Sequence, residues 1–126
     1  MRVIMFQDRF ADKVRDGSKT TTIRKSDWHI NPGTMLSLRR WTGKPYRSKQ
    51  EVLWEAKCVS VEGIYVDSTG CVIETIPGCS GGFTTRGHEN EIAQRDGFDS
   101  FADMADWFKR NHGLPFEGYI IRWEAK

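Results

Sequence analysis

Between residues 17 and 24 the chain reads Gly17-Ser18-Lys19-Thr20-Thr21-Thr22-Ile23-Arg24, which sets three consecutive hydroxyls between two cations beside a turn. In an extended strand alternate side chains share a face, so Thr20, Thr22 and Arg24 fall on one side and Thr21 and Ile23 on the other. Lys19, next to the turn, escapes that parity, and its amine can reach toward Thr22. A hydroxyl is a weak nucleophile at its ordinary pKa and needs an adjacent base. A lysine amine serves as that base once desolvation or a neighbouring cation has lowered its pKa. Arg24 would supply such a cation, or hold an anionic group on a ligand. A competing reading needs no ligand at all: threonines favour strands, and a lysine in a turn is ordinarily solvated.

A second group stands at Arg39-Arg40-Trp41-Thr42-Gly43-Lys44-Pro45-Tyr46-Arg47-Ser48-Lys49, where eleven residues hold five cations and no acid. The whole chain carries only +2, so everything outside this segment sums to −3. Cations interleaved with Trp41 and Tyr46 on a Gly-Pro loop suit phosphate contacts and base stacking. Arg39, Arg40, Lys44, Arg47 and Lys49 are the phosphate candidates. The plainer alternative is a solubilising hairpin tip whose aromatics pack on the fold.

Carboxylates come from further along. Glu89, Glu91 and Asp96 are available, and an acid brought beside Lys19 and Thr22 would complete a set able to handle protons. Spacing does not say which of them arrives. The glycines of Cys79-Ser80-Gly81-Gly82 match neither G-x-G-x-x-G nor a G-K-[ST] ending, so this stretch reads as surface loop. His29, His88 and His112 are scattered and none pairs with a cysteine at zinc spacing. Neither a metal nor a cofactor is expected.

These groups need a scaffold, and 126 residues suffice for one domain spanning 1–126. Seven Phe, five Trp and three Tyr exclude a disordered tail. The apolar run at Val3 to Phe6 is too short for a signal peptide or a membrane span, and nothing longer follows. Three cysteines, odd in number and without C-x-x-C spacing, fit a reducing compartment. A soluble, cytoplasmic protein without membrane contact is expected.

Val3 to Phe6 reads as a buried strand, and Asp8 to Asp16 as a helix with Phe10, Ala11 and Val14 on one stripe, closed by Gly17. Thr20 to Ile23 returns as a β-branched strand. Pro32-Gly33 marks a turn. Met35 to Trp41 alternates as a strand, and Glu51 to Val66 is a long extended stretch with a bulge or break expected at Gly63. Cys71 to Ile76 is a short strand and Pro77 to Gly87 a loop. Glu89 to Arg95 is a short helix. A better one follows, capped by Asp99 or Ser100, with Phe101, Met104, Ala105 and Phe108 on its apolar face and an end at Asn111 to Gly113. Tyr119 to Glu124 is the last strand. Five or six strands with two or three helices in the connections predict an α+β fold on a curved sheet or barrel.

From Phe10 through Arg24 the chain resembles the opening of an ASCH domain, in the PUA-like superfamily, whose G-x-K-x-x-T-x-R signature is complete at Gly17 to Arg24. Arg95-Asp96-Gly97-Phe98, the following helix with Trp107-Phe108, and Tyr119-Ile120-Ile121-Arg122-Trp123 are similar to the later landmarks of that family. The resemblance implies a PUA-like β-barrel whose cleft, between barrel and helices, works on RNA or nucleosides. One branch of small ASCH proteins hydrolyses the acetyl amide of N(4)-acetylcytidine with a lysine, a threonine and a glutamate. Lys19 and Thr22 match the first two, and Asp96 stands nearest the third, one methylene shorter. An enzyme of this kind would use Thr22 for attack, Lys19 as base and Asp96 to orient Lys19 or shuttle a proton to the departing amine, with backbone N–H groups near Gly17 steadying the oxyanion. The alternatives are a non-catalytic RNA-binding module and a metal-independent ribonuclease.

Overall fold

The structure, a computed structural model, describes residues 2–26, 30–74 and 88–124. In chain order it contains β1 (Arg2–Met5), α1 (Asp8–Asp16), β2 (Thr21–Arg24), β3 (Met35–Trp41), β4 (Gln50–Val66), β5 (Cys71–Glu74), α2 (Glu89–Arg95), α3 (Phe101–Asn111) and β6 (Phe116–Trp123). The α+β class holds, with six strands and three helices among the described residues. The predicted loop over residues 77–87, and with it Cys79, lies outside them.

The strands form one mixed sheet in the order β1-β3-β4-β6-β2, with β5 added against β4. Only β1 and β3 run parallel; the other pairs are antiparallel. The 17-residue β4 is the spine. Its first half pairs β3 and its second half pairs β6 and β5. At the changeover the register slips between Cys58 and Ser60. There the Cys58 N–H and C=O are taken by Thr34 and Gly33, each at 2.8 Å. Gly63, the expected bulge, instead pairs regularly with Glu74 on one side and Tyr119 on the other.

In place of the expected closed barrel, the described strands leave the sheet open, with β1 and β2 as its ends. A side chain spans that gap: the Arg24 guanidinium donates to the Met5 carbonyl at 2.8 Å. One sheet face is closed by the helices. Phe10, Ala11 and Val14 of α1 are buried, as are Met104, Ala105 and Phe108 of α3. Gly17 ends α1 in the left-handed conformation its position requires, at φ 89°. Ser100 caps α3, accepting from the Asp103 N–H at 3.2 Å. β6 starts three residues before its predicted Tyr119, at Phe116.

The two stretches singled out for chemistry meet directly. The Thr20 N–H donates to the Arg95 carbonyl at 2.9 Å, and the Trp123 N–H donates to the Thr20 carbonyl at 3.1 Å. The turn after α1 is thereby tied to the end of α2 on one side and to β6 on the other.

Candidate functional site

That backbone tie carries Lys19 inward rather than into solvent. Lys19 is 2% exposed, and its Nζ donates to the Asp96 carbonyl at 2.5 Å and lies 3.4 Å from Asp96 Oδ1. The ammonium also sits over two rings, 4.9 Å from the centroid of Phe10 and 5.6 Å from that of Phe6. Burial lowers the Lys19 pKa from 10.5 to about 8, with Asp96 opposing the shift and Arg24 and Lys13 adding to it. Asp96, 4% exposed, is pushed the other way: burial raises its pKa, against the pull of Lys19, the Thr21 hydroxyl and Arg24. Both groups are thus driven toward their uncharged forms. This narrows the gap between an ammonium–carboxylate pair and an amine–carboxylic acid pair.

Asp96 ends α2 just before Gly97, whose φ of 98° places it in the left-handed region. A Cβ there would stand 3.0 Å from Phe10 Cδ1 and 3.2 Å from Lys19 Cδ. Only glycine lets the chain turn this closely over the lysine stem. The Lys13 amine closes the same corner by donating to the Gly97 carbonyl at 2.6 Å.

Beside this pair lies a cavity of about 290 Å³, near the small end of small-molecule sites. Lys19, Thr22, Arg24 and Asp96 are part of its polar lining, with Gln7, Lys25 and His112. Phe6, Phe10, Phe98, Trp107, Phe108 and Phe116 supply an aromatic wall, locked edge to face at Phe10–Phe98 (5.4 Å) and Phe10–Trp107 (6.0 Å).

Lys19, Thr22, Arg24 and Asp96 therefore line one cavity. Three details differ from the expected roles. The Thr22 hydroxyl accepts from Arg24 Nε at 2.9 Å and bonds neither Lys19 nor Asp96. The hydroxyl on the carboxylate belongs to Thr21, which donates to Asp96 Oδ1 at 2.9 Å. Sequence reasoning missed Thr21, because its role depends on where α2 ends in space. The third concerns the expected oxyanion donors. The N–H groups of Gly17, Ser18, Lys19 and Thr20 are all committed, to Val14, Asp16, Lys13 and Arg95 respectively. Arg24, bonded to the Thr22 hydroxyl, is the cation that faces this side of the cavity.

Removing the Thr21 donor gives a clean prediction. Thr21→Val keeps the shape but leaves a buried carboxylate oxygen without its donor. It should cost about 1–3 kcal/mol in chemical denaturation, while Thr21→Ser recovers most of the loss.

The basic loop is a separate place, since none of its residues lines the cavity. Arg40 is not available for phosphate: it pairs with Glu51 at 2.8 Å and Asp8 at 3.2 Å. Arg39 donates to Ser37 Oγ at 2.8 Å and Gln50 Oε1 at 3.0 Å. Both arginines point back into β3 and β4 because acceptors stand across the ladder. Lys44, Arg47 and Lys49 are exposed and make no ion pair among the described residues. The Trp41 and Tyr46 rings lie 5.1 Å apart, with Tyr46 87% exposed and at φ 62°.

Glu91 instead meets His88 at 3.2 Å on the surface, and Glu89 lies beside Cys71. Among the described residues no three His, Cys, Asp or Glu side chains group as metal ligands, and no helix is long and apolar enough to cross a membrane. His29 lies outside the described residues. Comparison with known proteins found no match to a protein-family model, to a curated protein or to a solved structure.

Proposed function

We propose that this chain is an ASCH-type, PUA-like protein acting on RNA or modified nucleosides. Its cavity would be the centre of an amidohydrolase that removes the acetyl group of N(4)-acetylcytidine. The observation that carries the reading is a lysine amine, buried against a carboxylate and lowered to about 8, on the wall of a cavity it shares with a threonine hydroxyl. The aromatic wall suits a planar base, and a pyrimidine with a small acyl group is of a size with the space.

In this reading Thr22 Oγ, not hydrogen-bonded to Lys19 in this structure, attacks the acetyl carbonyl carbon, and its proton passes by way of one water to the neutral Lys19 amine. Negative charge developing on the carbonyl oxygen meets the Arg24 guanidinium, which already holds Thr22. As the C–N bond breaks, Lys19 returns the proton to the departing exocyclic nitrogen. Water, deprotonated in turn by Lys19, then cleaves the acetyl-threonine ester and releases acetate. Asp96 and, behind it, Thr21 keep the amine in place between steps. Incubation of pure protein with N(4)-acetylcytidine should release cytidine, and Thr22→Val should suppress that release.

A second reading, a non-catalytic RNA-binding surface, is favoured by Lys44, Arg47 and Lys49, exposed beside the Trp41–Tyr46 ring pair. Affinity for a single-stranded oligonucleotide should then fall with salt. Lys44→Ala and Arg47→Ala should each make the log–log slope shallower, by about 0.7 for every phosphate no longer neutralised. An affinity indifferent to salt would reject it.

A further inference from the structure

The polar side of the cavity is one-sided in its chemistry. Arg24 and Lys25, and Lys19 while protonated, only donate hydrogen bonds, and the Asp96 oxygen Oδ1 is already engaged by Lys19 and Thr21. A pyrimidine edge presents donors and acceptors side by side, so it calls for a neutral group able to do both. Besides Thr22, two cavity-lining side chains have that capacity, Gln7 and His112. Gln7 is exposed at the N-cap of α1.

His112 is exposed as well, but it differs from Gln7 in how firmly its ring is held. It stands at the C-cap of α3, and its ring is braced by Trp107, Phe108 and Phe116, with centroids 5.5, 5.7 and 5.3 Å away. Its imidazole makes no hydrogen bond among the described residues, although it lines the same cavity as the buried pair. Partial desolvation against the aromatic rings, with Lys25 and Arg24 nearby, holds its pKa below the ordinary histidine value.

We propose that His112 is a ligand-recognition residue, hydrogen-bonding the polar edge of the planar ring whose acyl group lies against Lys19 and Thr22. This rests on the amidohydrolase reading for the identity of the ring. The test uses His112→Phe, which keeps the ring packing and removes the hydrogen bond, and His112→Gln, which restores a donor and an acceptor. Calorimetric binding of cytidine should weaken roughly tenfold in the Phe variant and largely recover in the Gln variant. With N(4)-acetylcytidine the Phe variant should raise KM by a similar factor and leave kcat near that of the wild type. Equal cytidine affinity in the wild type and the Phe variant would overturn the proposal, and so would a wild type that binds no cytidine. Cytidine binding with the expected pattern but no turnover would remove the amidohydrolase reading and leave the recognition role standing.

Discussion

Lys19→Met should reduce cytidine release from N(4)-acetylcytidine by about 1,000-fold, because general-base catalysis by a positioned side chain contributes roughly 10²–10⁴ in rate. Methionine fills most of the lysine volume and suits the Phe6 and Phe10 rings that flank the Nζ position. The fold should therefore survive, with circular dichroism and gel filtration unchanged. An equally folded variant with wild-type turnover would remove Lys19 from the chemistry. Arginine is not a substitute here, since its guanidinium does not give up a proton in the working range.

Asp96→Ala should be the most destabilising single change in the site, by about 3–5 kcal/mol, because it strands a buried lysine without its partner. The cause is the unpaired charge rather than the lost side chain, so the double variant Asp96→Ala with Lys19→Met should regain much of that stability. Denaturant titrations of the four proteins give the coupling directly. Additive losses would show that the pair is not coupled. The same pair makes stability depend on pH. Burial lowers Lys19 from 10.5 to about 8, so between those values the unfolded chain holds a proton that the folded chain does not. Lys19 alone contributes a gain in stability as pH rises through that window, lost as pH falls through the lower value. The buried thiols Cys58 and Cys71, raised to about 11, oppose it above pH 9, so the Lys19 part is read as the wild type minus Lys19→Met. Lys19→Met should not show this rise.

Much of this arrangement is legible in the residues themselves. The strand–helix–strand opening follows from periodicity and from Gly17, whereas which acid meets Lys19 is not in the spacing, and Asp96 is pointed to only by the family resemblance. Strand parity also foretells the Arg24–Thr22 contact, two residues apart on one face. What escapes are features that depend on how distant segments dock. Thr21, on the opposite face from Thr22, reaches Asp96 only because Thr20 is bonded to Arg95 at the end of α2. The amides near Gly17 look available for an oxyanion until α1 and α2 claim them. Arg40 looks like a phosphate ligand until the β3–β4 register sets Glu51 opposite it and α1 brings up Asp8. His112 reads in the sequence as one of three scattered histidines, yet the docking of α3 brings it to the cavity.

The most direct test of an amine poised for base catalysis in this cavity is the pH dependence of kcat/KM for cytidine release by the wild type, which reports the ionisation of the free enzyme. The rate should climb about tenfold per pH unit below the inflection, bend close to the value of about 8 set by the burial of Lys19, and level off above it. No release of cytidine, or a rate unaffected by pH across that range, would contradict the assignment.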